Sequence, residues 1–252
     1  MARKGRVEGK IALVTGGGAG IGQACCRHLA DEGAVVAVLD VDAVSGQAVA
    51  SSLVPTTDAM FIACDVTDPD AMVHAIATIV ERFGRLDIAV NNAGIGGVVS
   101  PIPEYPTQTW DRVIATNLTG VFYGLRAQIP VLAAQGGGAI VNVASLMGTV
   151  GYPGISAYVA AKHGVAGLTK VAALEWGEHG VRVNAVAPSF IKTKLTTAAL
   201  PAEAWDVFPG MHALRRCAEP AEIAALVTFL CSDEASYITG SLHLVDGGYT
   251  AI

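Results

Sequence analysis

Short, nearly unbroken apolar runs recur along the chain, separated by longer stretches with a helical spacing of apolar positions. The runs are IALVTG from Ile11, AVVAVLD from Ala34, AMFIACDV from Ala59, LDIAVNN from Leu86, GAIVNVAS from Gly138, VRVNAVAP from Val181 and SLHLVDGG from Ser241. A strand with one wet face alternates apolar and polar residues. A run that is apolar throughout fits a strand covered on both faces. Between the runs the pattern predicts helices, such as those over 20–32, 68–83, 107–134 and 156–179. Strand–helix alternation predicts an α/β fold: a doubly wound parallel sheet of about seven strands with helices on both faces. No Pro- or Ser-rich linker divides residues 1–252 and no internal repeat appears, so one domain is expected. The least regular stretch is 189–219, with Pro201, Pro209 and Gly210; an irregular segment of this length in a compact domain reads as a lid.

Composition narrows the class. Hydrophobic residues make up 52% and charged residues 15% of 252, enough for a buried core and too apolar for disorder. The formal net charge is -6 and no Lys/Arg cluster interrupts it, which argues against a nucleic-acid surface. The five cysteines form no CxxC and read as buried thiols of a reducing compartment. The histidines show no ligand spacing, so no metal is expected. MARKGR followed by IALV imitates a signal peptide, but glycines break the apolar run, and no run approaches a membrane span. A cytoplasmic protein with no membrane partner is expected.

TGGGAGIG, Thr15 to Gly22, follows the first strand and opens the first helix. Missing Cβ atoms let backbone approach a pyrophosphate, and a helix N-terminus attracts its charge. The spacing Gly16-x3-Gly20-x-Gly22 is not the common GxGxxG, and Gln23 excludes a P-loop. Asp40 ends the second strand about twenty residues on, the place of a carboxylate that binds a ribose 2′-hydroxyl. An ordinary strand-end carboxylate is the plainer reading of Asp40 alone.

Tyr158 and Lys162 stand four apart in AYVAAKHG, on one helix face. They are either a snorkelling surface pair or a tuned acid–base pair. Ser145 ends the fifth strand, at the sheet edge where such folds bind ligands. A nearby ammonium favours a phenolate, and a tuned phenol exchanges a proton with an alcohol or ketone oxygen.

With those residues in place the chain resembles the short-chain dehydrogenase/reductase family over nearly its whole length. TGGGAGIG, CDV with Asp65, NNAG (residues 91–94), ATNLTG with Asn117, VNVAS with Ser145, YVAAK, VAPSFIKT and YITGSLHLVDGG carry the resemblance. It implies a Rossmann-type domain and hydride transfer between a nicotinamide cofactor and an alcohol/ketone pair. By resemblance, Tyr158 is the general acid/base and Lys162 binds the nicotinamide ribose and depresses the tyrosine pKa. Ser145 bonds the substrate oxygen, and Asn117 holds a relay water. Gly16, Gly20, Ile21 and Gly22 take the pyrophosphate, Asp40 the ribose, and Asp65 and Val66 the adenine. Asn92 and Gly94 line the cleft, while Pro188, Ile191 and Thr193 meet the nicotinamide amide. One departure stands out: the family's usual Pro-Gly is Pro188-Ser189 here, which puts the path of that loop in question.

The expected cofactor is NAD, because Asp40 repels a 2′-phosphate and no Lys or Arg stands in the glycine loop. A homotetramer is expected, also on resemblance, through the small residues Gly164, Ala166, Gly167 and Ala172. A lobe over about 189–216 is expected to cover the substrate with Phe190, Leu195, Leu200, Trp205, Phe208, Met211 and Leu214. Met147, Trp205 and Phe208 read equally well as core. Ile95, Val98, Met147, Val150 and Tyr152 are expected opposite, with Lys192, Lys194 and Asp206 facing water. So apolar a lining predicts a hydrophobic secondary alcohol or ketone, cyclic or aryl-substituted. The alternatives are a 3-oxoacyl thioester reductase, a sugar or polyol dehydrogenase, and a non-catalytic dinucleotide sensor.

Overall fold

The computed structural model describes residues 5–193, 196–197 and 204–251. Seven strands form a single parallel sheet: β1 (Ile11–Thr15), β2 (Val35–Asp40), β3 (Ala59–Ala63), β4 (Ile88–Asn91), β5 (Gly138–Val143), β6 (Val181–Pro188) and β7 (Leu242–Val245). Their order is β3-β2-β1-β4-β5-β6-β7. The strand sequence reverses direction between β1 and β4, whose carboxyl ends therefore flank a crevice. Every apolar run seen in the sequence becomes a strand, because both faces of each central strand are buried.

Among the described residues the helices of eight residues or more are α1 (Gly20–Asp31), α2 (Ala43–Leu53), α3 (Pro69–Phe83), α4 (Thr107–Ile114), α5 (Gly120–Ala134), α6 (Ser156–Trp176) and α7 (Pro220–Cys231). One core cluster lies on the α1/α7 side of the sheet, with Val14, Val38, Val141, Leu29 and Ile223; the other lies opposite, with Leu13, Leu39, Ile140, Ile76 and Leu125. Local signals set the helix ends. Asp68 caps α3 by accepting from the Asp70 and Ala71 amides, and Gly84 ends it at φ 81. Glu219 and Glu222 form a capping box on α7.

Two features were not legible as elements. The stretch read as one helix over 107–134 is broken by a π-helical turn, Ala115–Thr119, between α4 and α5. A buried polar chain also runs along one face of the sheet, between α5 and α6. Asn91 donates to Asn142 (2.9 Å) and exchanges hydrogen bonds with Gln128, while Asn142 donates to Thr169 on α6 (3.0 Å). Each amide finds a partner, so the network fixes how α5 and α6 seat on β4 and β5. Among the described residues no helix is long and apolar enough to cross a membrane.

Candidate active site

Among the described residues, two of the cavities at the carboxyl edge of the sheet hold the expected site residues. The larger, about 580 Å³, is lined by Gly16, Gly20, Ile21, Asp40, Asp65, Val66, Asn92, Gly94 and Thr193, all expected from sequence. Cys64, Thr67, Ile95, Arg112, Ala115 and Thr116 also line it and were not foreseen. The signal for Arg112 and Thr116 was absent because they reach the cleft from α4 and the π turn.

The glycine loop fits a pyrophosphate. Gly16 and Gly20 sit at φ 62 and 54, where a side chain is strained. A Cβ on Gly22 would lie 2.1 Å from the Gly16 carbonyl oxygen, so Gly22 shapes the loop from behind rather than lining the cleft. No side chain caps α1, and its first amides stay open to an anion. Asp40 is held from two sides, accepting from the Gly18 amide (2.8 Å) and the Asp42 amide (2.9 Å). Asn92 donates to the Thr15 and Gly16 carbonyls (3.0 and 3.1 Å), and Thr15 Oγ1 accepts from the Asn92 and Ala93 amides. These bonds tie the ends of β1 and β4 together beneath the cleft.

The second cavity, about 130 Å³, is lined by Ser145, Tyr158, Val98, Met147, Tyr152, Ser189 and Phe190, with Gly96, Gly97, Val99, Leu146, Ile155 and Thr196. Of the expected wall, Ile95 goes to the cofactor cleft and Val150 lines neither cavity. From the lobe, Phe190 lines the pocket and Phe208 stacks on it at 3.9 Å, with Trp205 edge-on to Phe208. Met211 and Leu214 are exposed instead, on either side of the buried His212. Lys192 and Asp206 face water as expected. Lys194, Leu195 and Leu200 lie outside the described residues.

Tyr158 and Lys162 do share a face of α6, with Nζ 5.6 Å from the tyrosine ring centre. The surface-pair reading fails because Lys162 is buried and donates to the Val143 carbonyl at 2.8 Å. Their electrostatics differ from expectation. Burial pushes the Tyr158 phenol above its ordinary value, opposed in part by a hydrogen bond with Ser145. Burial also lowers Lys162 to about 8. In both groups the loss of water sets the direction. Ser145 is itself oriented by accepting from the Met147 amide at 3.2 Å.

Asn117 lies in the π turn, fully buried. Its carboxamide is occupied at both ends by the Ile95 main chain, accepting at 2.8 Å and donating at 2.8 Å. Oδ1 keeps a second lone pair and Nδ2 a second hydrogen, and the main-chain groups of the turn lie beside them. Pro188 and Ile191 are buried too, and the Ile191 side chain belongs to the core, leaving its backbone for any amide contact. Ser189 does not need glycine's freedom: Arg215 is the one non-glycine at positive φ among the described residues.

A family model described as enoyl-(acyl carrier protein) reductase matches residues 16–250. The chain belongs to the short-chain dehydrogenase/reductase family. Among similar relatives of this short-chain dehydrogenase/reductase is a cyclohexanol dehydrogenase of Acinetobacter sp. strain SE19. It is 43% identical over 247 residues, covering 98% of this chain and 97% of that protein. A D-threitol dehydrogenase of Mycolicibacterium smegmatis is 41% identical over 246 residues, covering 97% and 94%. The crystal structure of carveol dehydrogenase from Mycobacterium avium in complex with NAD superposes with a TM-score of 0.94 at 32% identity, covering 98% of this chain and all of that one.

Proposed function

We propose that this short-chain dehydrogenase/reductase is an NAD-dependent enzyme interconverting an apolar cyclic secondary alcohol and its ketone. The observation that carries the reading is the small second cavity, with Ser145 and Tyr158 facing an otherwise largely apolar wall. An apolar cavity of roughly 150 Å³ holds a single benzene ring. At about 130 Å³ this one suits a ring of similar size. Similarity to a cyclohexanol dehydrogenase supports that class, and similarity to a D-threitol dehydrogenase defines its competitor. A polyol in this lining leaves hydroxyls unpaired at a cost of about 1–3 kcal/mol each.

In this reading residues 1–252 act as one cofactor-binding and catalytic unit, with the 189–216 lobe over the substrate. Gly16, Gly20, Ile21 and the α1 amides hold the pyrophosphate, Gly22 gives the loop its shape, and Asp40 takes the ribose hydroxyls. Asp65 and Val66 flank the adenine, while Asn92, Gly94 and Thr193 complete the cleft. Pro188 and Ile191 set the backbone that meets the nicotinamide amide. NAD, when bound, supplies the hydride acceptor. Ser145 holds the substrate oxygen, and Tyr158 Oη takes the hydroxyl proton as the carbinol carbon is oxidised. Lys162, fixed by Val143, orients the ribose, and Asn117 holds the π turn whose main chain passes protons outward. A similar structure solved with NAD supports the cofactor. Five free thiols, four of them buried, suit a reducing cytoplasm.

A panel of matched apolar alcohols, sugars, polyols and hydroxyacyl thioesters, assayed for NAD reduction, tests the substrate class. The highest kcat/KM is expected for a cyclic or aryl secondary alcohol. Faster turnover of a polyol or thioester would overturn that class.

The assembly we propose is a homotetramer, with a changed interface. Ala166 and Ala172 turn into the chain's own core, and Leu118 covers Gly164. Gly167, Val171 and Leu174 instead form an outward stripe on α6, with Leu174 86% exposed, and Phe122 is half-exposed on α5. The edge strand β7, with Leu244 exposed, provides a second contact at the C-terminal segment. Leu174→Glu is expected to shift the mass in light scattering from tetramer to a smaller species. An unchanged mass would place the interface elsewhere.

A further inference from the structure

His212 is 2% exposed and plays no part in the chemistry above. Its Nδ1 lies 2.7 Å from the Phe208 carbonyl oxygen, and its Nε2 lies 2.5 Å from Ser189 Oγ. A carbonyl oxygen only accepts, so Nδ1 carries the hydrogen. In the uncharged ring Nε2 then accepts, and the Ser189 hydroxyl donates to it. One imidazole thus holds two points of the chain 19 residues apart, the residue before Phe190 and the main chain of Phe208.

Those two points carry a stacked pair. The Phe190 and Phe208 rings lie 3.9 Å apart at an interplanar angle of 11°. Phe190 also meets Tyr152, Tyr249 and His212 edge-on at 6.3, 5.9 and 6.2 Å. Phe190 and Tyr152 line the cavity with Ser145 and Tyr158, whereas His212 does not. His212 instead lines a separate cavity behind Ser189, with Arg216, Glu222 and Asp246. His212 is therefore out of reach of the substrate, while Ser189, which it bonds, lines the pocket beside Phe190.

We propose that Ser189 and His212 form a positioning pair that sets the Phe190 ring against the substrate. This gives a role to the serine that stands where the family commonly has glycine: it replaces backbone freedom with a fixed hydrogen bond. Without the bond, the side chains of the two segments meet only through ring contacts, while the Ser189 amide still donates to the Val245 carbonyl (3.2 Å), so the Phe190 ring rather than the backbone loses its fixed distance from Ser145 and Tyr158. A wall that touches only the apolar part of the substrate contributes equally to ground and transition states, so its loss raises KM while Ser145 and Tyr158 still hold the reacting oxygen.

The inference rests on the second cavity being the substrate pocket, but its test uses whichever alcohol or ketone the wild type turns over fastest, so a wrong substrate class leaves it intact. Ser189→Ala, His212→Phe and the double variant are compared for KM, kcat, NADH Kd and melting midpoint. Each single change is expected to raise KM about tenfold with kcat within about twofold and NADH Kd unchanged. The double variant is expected to be no worse than the more severe single one, since both break the same bond. If His212→Phe does not fold, His212→Gln replaces it. The same KM rise is expected there, because the link to Phe208 is lost. An unchanged KM in folded His212 variants, even if Ser189→Ala raises it, would make Ser189 a direct substrate contact and overturn the pair. Fully additive effects would overturn it as well.

Discussion

Tyr158→Phe is expected to lower kcat by roughly 10²–10⁴-fold, the usual contribution of a positioned general acid/base. NADH affinity should hardly change. The phenyl ring keeps its packing on α6, Lys162 keeps its bond to the Val143 carbonyl, and the cofactor cleft is lined by other residues. Only the hydroxyl facing Ser145 is lost. The pH profile gives a second readout. Oxidation needs the phenolate, and burial holds the Tyr158 pKa above the ordinary tyrosine value. The fraction in the base form therefore grows about tenfold per pH unit across the neutral range. The oxidation rate should climb with pH up to at least the Lys162 transition at about 8, and the reduction rate should not. Residual oxidation by Tyr158→Phe should lose that rise. Full activity in this variant, or a flat wild-type profile, would return Tyr158 to a structural role.

Asp40 carries the second large effect. Its carboxylate is fixed by the Gly18 and Asp42 amides before any ligand arrives, so it cannot swing away from a 2′-phosphate. A like-charge contact of that kind costs several kcal/mol, and about 1.4 kcal/mol corresponds to a factor of ten. A preference for NAD of about 10² or more in kcat/KM is expected on that ground. Among the described residues lining the cleft, Arg112 is the one cationic side chain, and it comes from α4 rather than from beside Asp40. Asp40→Asn removes the charge while keeping an acceptor, and should raise kcat/KM with NADP at least tenfold. Asp40→Ala should do the same but also weaken NAD, because the clamp on the glycine loop goes with the carboxylate. Arg112→Ala should leave the ratio unchanged. A wild-type preference for NADP would refute the assignment.

The sheet was legible because parallel strands buried on both faces write themselves as unbroken apolar runs. Their ends were less so. The third run was read through Val66, yet β3 stops at Ala63, because Cys64 to Val66 turn into the cofactor cleft. Helices α2 and α7 were not singled out. The apolar surface of α7 is nearly continuous, since it packs on α1 as well as the sheet, and this blurs its period. The residues of the glycine loop, Asp40, Ser145, Tyr158 and Lys162 were legible because each sits at a strand end or one helical turn from another. What a sequence hides is solvent. Spacing suggested a phenol lowered by its lysine, whereas burial dominates both groups. Spacing also could not show that the Asn117 carboxamide is taken by Ile95, or that His212, 23 residues from Ser189, returns to bond it.

The central claim is that hydride passes from the carbinol carbon of a cyclic secondary alcohol to NAD. Its most direct test is isotope transfer. The enzyme is incubated with NAD and cyclohexanol deuterated at the carbinol carbon, and the products are read by mass spectrometry and NMR. The account predicts cyclohexanone and one deuterium on the nicotinamide ring of NADH for each ketone formed, both lost in Tyr158→Phe. NADH without deuterium, or no ketone from an enzyme that oxidises a polyol under the same conditions, would contradict it.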